Sequence, residues 1–320
     1  MIPVKQERIL VTGATGFVGS AVCRQLEENG VSPVRTSLSL GVELRDLDQT
    51  KAMFSEVRPH AVLNCAAFVG GIQFGLAHPA EIFENNLRMI LNLYEACREF
   101  QVERLVNPIS NCAYPARATV FREAEFWDGP LDETVLVYGM ARKMSWVGAW
   151  AFGRQYGLDT ISLVLSNMYG PGDHFDPVRS HALGALIHKM VEAKMKGLPS
   201  VTVWGTGKPI REWLYVDDGA EAMIRALSIK SYEGPINVGV CKGIPILDLA
   251  RLIKEIVGYE GALVFDTSKP DGAPHKTVDG SLGARLMGWQ PATKLSSGIV
   301  KTVEYYLAQK EKHGQANQIG

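Results

Sequence analysis

Val11-Thr12-Gly13-Ala14-Thr15-Gly16-Phe17-Val18-Gly19 decides the reading of this chain. It follows the apolar run Ile9-Leu10-Val11, which predicts a short buried strand. It leads into Phe17, Val18, Val22 and Leu26, whose spacing predicts a helix ending near Gly30. Strand, glycine turn and helix in that order form the first unit of a dinucleotide-binding sheet. Gly13 permits the tight turn, Gly16 lets backbone approach a pyrophosphate, and Gly19 lets the helix pack close to the sheet. The helix start then offers free amides and a partial positive charge to phosphates. Thr15, Phe17 and Val18 complete the cofactor-facing turn.

Working outward, strand and helix signals alternate. Pro33-Val34 predicts a second strand, followed by Arg35. His60 to Ala67 reads as a buried strand running into a turn of small residues, with Ala66 and Ala67 beside the cofactor. A helix over Glu84–Phe100, a strand opening at Arg104-Leu105-Val106, a helix over Tyr138–Tyr156 and a strand over Thr160–Val164 follow. The fold class is α/β: a Rossmann-type, doubly wound parallel sheet with a smaller C-terminal domain. Residues 1–165 are expected to form the dinucleotide domain, with segments near 212–240 returning to it, and 166–320 mainly the substrate domain. Further on, the sequence predicts helices over Ser180–Lys194 and Leu247–Val257, a strand over Val201–Trp204 and a mobile tail from Gln309.

The 320 residues are 46% hydrophobic and 21% charged, with net charge −1, so no basic footprint points to nucleic acid or an anionic membrane. Lys5-Gln6-Glu7-Arg8 stands where a signal peptide needs its apolar core, and no apolar run is long enough to span a bilayer. Five cysteines without paired spacing suggest free thiols in a reducing cytoplasm and no metal site.

An acid just after the second strand accepts the ribose hydroxyls of NAD, whereas a base there suits the 2′-phosphate of NADP. The segment Val34-Arg35-Thr36-Ser37 holds no acid until Glu43, which makes Arg35 the candidate for that phosphate and NADP(H) the expected cofactor. Three segments converge beyond the strand ends: Ser110-Asn111-Cys112, Tyr138 with Arg142, and Asn167-Met168-Tyr169-Gly170-Pro171. A serine and a tyrosine there can both reach one carbonyl oxygen, the tyrosine acting as general acid beside a cation.

With these segments in view, the chain resembles the GDP-L-fucose synthase family of extended short-chain dehydrogenases. Further matching stretches are Ala66 to Ile72, Ser180-His181, Val203 to Glu212, Val216-Asp217-Asp218, Ile236 to Gly239 and Phe265 to Gly272. The resemblance implies an NADPH-dependent epimerase/reductase of a GDP-4-keto-6-deoxy-hexose. It implies that Ser110 and Tyr138 hold the sugar C4 oxygen and that Tyr138 donates a proton to it. Cys112 would remove protons at C3 and C5, and His181 would return them. Asn167, Lys189, Trp204, Arg211 and Lys276 match positions that bind the GDP-sugar, and a homodimer through paired helices is expected. Rival readings are a related nucleotide-sugar 4-epimerase with retained NAD, a 4-keto-reductase of another GDP-sugar (deoxy- or heptose), and a non-catalytic NADP(H)- or nucleotide-sugar-binding protein.

The chain departs from the superfamily's Tyr-x-x-x-Lys motif, because four residues after Tyr138 stands Arg142, with Lys143 next. One helical step turns a side chain by about 100°, so Lys143 is expected to face elsewhere while Arg142 takes the motif position. The stretch Ser37–Glu43 is about three residues longer than the family's, and Pro108 and Asn111 replace residues expected to be small or hydroxylic.

Overall fold

The computed structural model describes residues 8–176, 180–269 and 271–316, so Pro270 of the matching stretches lies outside them. The first half runs β1 (Ile9–Thr12), α1 (Phe17–Glu28), β2 (Val34–Thr36), α2 (Leu47–Val57), β3 (Ala61–Asn64), α3 (Ile72–Ala77), α4 (Pro79–Glu99) and β4 (Arg104–Ser110). The middle runs β5 (Val120–Phe121), α5 (Leu136–Tyr156), β6 (Thr160–Leu165), β7 (Met168–Tyr169), α6 (Ala182–Met195), β8 (Ser200–Trp204), β9 (Ile210–Glu212), β10 (Leu214–Tyr215), α7 (Val216–Arg225) and β11 (Pro235–Val238). The chain closes with β12 (Gly243–Pro245), α8 (Ile246–Val257), β13 (Ala262–Asp266), β14 (His275–Val278), α9 (Ser281–Met287) and α10 (Leu295–Ala316).

Among the described residues, a six-stranded parallel sheet has the order β11-β6-β4-β3-β1-β2. Helices cover both faces, as buried apolar strands require. On one face Val22 and Leu26 of α1 pack with Ala220 and Met223 of α7 over Val11 and Leu163. On the other, Phe54 of α2, Ile90 and Leu93 of α4 and Ala149 of α5 pack over Leu10, Val62 and Leu105. Because β2 lies on one side of β1 and the later strands on the other, the crevice for a ligand opens between the carboxyl ends of β1 and β3.

A mixed sheet, β12-β9-β14-β5, stands apart from this one, with a third core formed by α6, α8, α10 and β8. Its strand β5 comes from the first half of the chain, and β11 from the second half completes the large sheet. The chain therefore crosses between the two layers several times.

Pro108 sits inside β4, a central strand, although proline lacks the N–H a ladder needs. Leu105 donates to the Asp159 carbonyl on the β6 side, at 2.9 Å. By alternation Pro108 faces the β3 side, and the β3–β4 ladder has already ended at Leu63↔Val106. The missing donor thus falls where no acceptor strand remains.

Several boundaries differ from the sequence reading. Arg35 lies within β2 rather than after it. α4 begins at Pro79, where proline's fixed φ suits a first helical position. α10, anchored by Ile299, Val303 and Tyr306, extends through Ala316 and so takes in the start of the tail expected to be mobile, whose residues 317–320 lie outside those described.

Candidate functional site

The turn after β1 is constrained by its neighbours. Gly13 adopts φ +59°, and a Cβ there would stand 2.7 Å from the Cys65 carbonyl carbon just beyond β3. A Cβ on Gly19 would stand 2.1 Å from the Gly13 oxygen, so α1 reaches the sheet only because both are glycine. Among the described residues, a Cβ on Gly16 would meet the Gly13 oxygen, at 3.2 Å, and otherwise face open space. α1 has no side-chain cap and no acid in its first turn, so its free amides suit an anion. Ala14 N–H donates to the Thr36 carbonyl at 3.0 Å, tying the turn to the end of β2. Beside it, the hydroxyls of Thr15, Ser37 and Ser39 bond to one another. Arg35 is exposed, and its Nη2 donates to Glu27 Oε1 at 2.6 Å, a partner that no sequence pattern announced.

Ala66 and Ala67 open the loop after β3, and Ala66 N–H donates to Asn64 Oδ1 at 3.2 Å. Asn86 of α4 holds this loop by accepting from Phe68 N–H and donating to the Phe68 carbonyl. The same Asn86 oxygen accepts from Arg142 Nη2 at 3.3 Å. Arg142 is 6% exposed, with its guanidinium carbon 5.1 Å from the Tyr138 ring centre and its Nε buried without a partner among the described residues. An unpaired buried donor of this kind fits a hydroxylated ribose. Lys143 points the other way, as the helical step predicts. It is buried, donates to the Phe126 carbonyl and lies 4.5 Å from the Trp127 ring centre. Burial pushes its ammonium pKa down.

Ser110 ends β4, and its Oγ accepts from Cys112 N–H at 3.2 Å, leaving its own proton free to donate. Gly139, next to Tyr138, would place a Cβ 2.4 Å from the Cys112 carbonyl oxygen. Only glycine lets the first turn of α5 press against the Ser110–Cys112 segment, which brings Tyr138 to it. The Cys112 thiol is partly exposed and lies 3.8 Å from Asn111 Oδ1, while Asn111 Nδ2 reaches Asn167 Oδ1 at 3.4 Å.

In the mixed sheet Arg211 of β9 and Lys276 of β14 stand opposite each other in parallel register. Burial pushes the Arg211 pKa down, against the nearby charges of Asp132, Asp271 and Cys112. Asp132, whose pKa lies below its ordinary value, accepts from Thr134 and feels both Lys276 and Arg211. Trp204 at the end of β8 is 46% exposed, with Lys189 Nζ 5.3 Å and Lys269 Nζ 5.7 Å from its ring centre. Lys189 also donates to the Thr202 carbonyl. His181 is the residue capping α6. Its pKa is lowered, by desolvation first and then by the neighbouring His174.

Sequence reasoning missed three supports. Glu212 is fully buried next to Arg211, and its carboxylate accepts from the backbone N–H groups of Val240, Cys241 and Val278. It joins β9 to β14 and to the loop after β11. A buried polar chain crosses the large sheet: Thr12 Oγ1 donates to Asn64 Oδ1, Asn64 Nδ2 to Asn107 Oδ1, and Asn107 Nδ2 to Ser145 Oγ. Ser145 Oγ donates to the Arg142 carbonyl, which fixes the turn of α5 that carries Tyr138 and Arg142. Asp132 is the third. Polar residues inside apolar strands were the available signal. Among the described residues no metal-ligating cluster occurs.

A family model described as the NAD dependent epimerase/dehydratase family matches residues 9–239. GDP-L-fucose synthase 1 of Arabidopsis thaliana is 37% identical over 304 residues, 95% of this chain and 94% of that protein. A GDP-6-OMe-4-keto-L-xylo-heptose reductase from C. jejuni superposes with TM-score 0.89 at 27% identity, over 96% of this chain and 99% of that one. A GDP-L-fucose synthetase from Naegleria fowleri, solved bound to NADP, superposes with TM-score 0.87 at 29% identity, over 96% and 95%. With a family model that matches most of its length and relatives that span it, this chain belongs to the NAD dependent epimerase/dehydratase family and, within it, to the GDP-L-fucose synthases.

Proposed function

We propose that this chain is an NADPH-dependent epimerase and reductase of a GDP-4-keto-6-deoxy-hexose. The observation that carries the reading is the close approach of Gly139, next to Tyr138, to the Cys112 carbonyl, which supports a centre built from the first turn of α5 and the Ser110–Cys112 segment. The NADP-bound relative supports the cofactor, and the GDP-sugar relatives support the substrate class.

Gly13, Thr15, Gly16, Phe17, Val18, Gly19, Ala66 and Ala67 hold the dinucleotide, with Tyr138 and Arg142 at its nicotinamide end and Arg35 as the base nearest its adenosine ribose in sequence. When bound, NADPH supplies a hydride to C4. A 4-keto group acidifies C3 and C5, so the Cys112 thiolate removes a proton from each and His181 returns one on the opposite face. Ser110 and Tyr138 donate hydrogen bonds to O4, and Tyr138 gives up its proton as the ketone becomes an alcohol. Arg142 replaces that charge environment's usual lysine and bonds the ribose. Asn167, Lys189, Trp204, Arg211 and Lys276 grip the GDP-sugar: the cations pair with diphosphate, and the Trp204 face stacks on the base. Residues 1–165 with 212–240 form the cofactor domain, and most of 166–320 the sugar domain. The exposed apolar residues Phe83 and Leu91 of α4 and Leu136 and Met144 of α5 support a homodimer through these helices, working in the cytoplasm with neither nucleic acid nor membrane as partner.

A reductase of a GDP-heptose without epimerisation is the second reading, favoured by the likeness to the C. jejuni reductase. NADPH oxidation against a panel of GDP-4-keto sugars, run in deuterium oxide with products read by NMR, separates the two. Deuterium at C3 and C5 of the wild-type product is expected, and its loss in Cys112→Ser and His181→Asn while reduction partly survives. Reduction with no deuterium at either carbon in the wild type establishes the simple reductase.

A further inference from the structure

Beyond β2 the chain reads Ser37-Leu38-Ser39-Leu40-Gly41, a single helical turn over Leu38–Leu40. Thr15 Oγ1 donates to Ser37 Oγ at 3.0 Å, and Ser39 Oγ lies 2.8 Å from Thr15 Oγ1 and 3.0 Å from Ser37 Oγ. The three hydroxyls close a triangle. Each carries one proton, so with Thr15 donating to Ser37, Ser37 donates to Ser39 and Ser39 to Thr15. Ser37 is 6% exposed, while Thr15 and Ser39 are open to solvent. Ser37 precedes the turn, where serine usually caps with its side chain, yet it makes no capping bond. The triangle therefore does not serve the turn that carries it.

Its position is where a sheet of this type receives the adenosine ribose. Arg35, the base nearest that place in sequence, is held by Glu27 in the last turns of α1. We propose that Ser37 and Ser39, together with Thr15, select the 2′-phosphate of NADPH, and that Glu27 restrains Arg35 from doing so. The inference rests on the reading of the glycine turn as the dinucleotide site. An entering phosphate opens the triangle and receives its converging O–H donors, each bond strengthened by the phosphate charge. A 2′-hydroxyl carries no charge and cannot take all of them, so it gains far less.

Calorimetric titration with adenosine 2′,5′-bisphosphate and with adenosine 5′-monophosphate tests this without turnover. The wild type should prefer the bisphosphate. Ser37→Ala/Ser39→Ala should lose at least about tenfold in bisphosphate affinity, with the monophosphate unchanged within about twofold, since only bonds to the charged group are removed. Retained monophosphate binding also shows that the variant is folded. Glu27→Gln should strengthen bisphosphate binding by freeing Arg35. Equal losses for both ligands, or none, overturn the proposal. So does Arg35→Ala abolishing the preference while the double serine variant keeps it. A wild-type chain that binds neither ligand overturns the glycine-turn reading and this inference with it.

Discussion

The residue that separates this chain from its superfamily's motif is Arg142, and its neighbour shows how far a single helical step reaches. Arg142 faces Tyr138 and Asn86, whereas Lys143 is buried against Phe126 and Trp127. This division was legible in the sequence, because about 100° per residue leaves no alternative once the helix exists. What Lys143 does there was not legible, since its carbonyl partner is distant in sequence. Arg142→Lys should keep or raise reductase turnover, and Arg142→Met should lower it about tenfold or more, within the range for acid–base groups. Lys143→Met should leave turnover intact yet lower stability by about 1–2 kcal/mol, through the lost carbonyl bond and ring contacts. Steady-state rates and melting curves of the three variants decide this. An essential Lys143 with a dispensable Arg142 would mean that the reactive tyrosine is wrongly assigned. Arg35 is the converse case: its place in the chain was readable, but its bond to Glu27 depends on α1 folding back over β2.

At the scale of elements, the sequence showed the alternation of strands and helices because buried parallel strands are nearly continuous apolar runs. It hid the polar chain Thr12–Asn64–Asn107–Ser145, since each member looks like an isolated exception until strand order sets them side by side. The loop between β7 and α6 holds another such exception. Asp173 is 8% exposed, Oδ1 accepts from His174 N–H, and Oδ2 has no partner among the described residues. Burial pushes its pKa from 3.8 up to about 7. In the unfolded chain the group ionises from its ordinary value upward, while the folded chain keeps the proton. Its stabilising share is therefore complete below pH 3.8 and lost as pH rises toward about 7. Asp173→Asn, which cannot ionise, should flatten the fall in melting temperature between those limits. An unchanged slope in a pH series of thermal melts would show that the carboxyl is ionised throughout.

The whole molecule is laced together by two exchanges. β11 completes the large sheet beside β6, and Val120–Phe121 of β5 pair with Thr277–Val278 of β14. Glu212 fastens the same crossing with three backbone bonds. The place of β5 beside β14 was not legible in the sequence, because a two-residue strand carries little periodic signal. A fragment ending at residue 165 should express as aggregate, since β6 would become a bare apolar edge. The full chain should melt in a single transition, and two separate transitions would show independent domains.

β5 also sets a timetable for synthesis. Its two residues leave the ribosome long before β14 exists, and they lie between Cys112 and Tyr138, the segment that shapes the crevice. The nucleotide-binding half can gather early around β1, β3 and β4, but Val120 and Phe121 have no strand to join until nearly the whole chain is made. The newborn protein should thus acquire its dinucleotide turn before its reactive centre, so that catalytic competence arrives as the last event of its biogenesis.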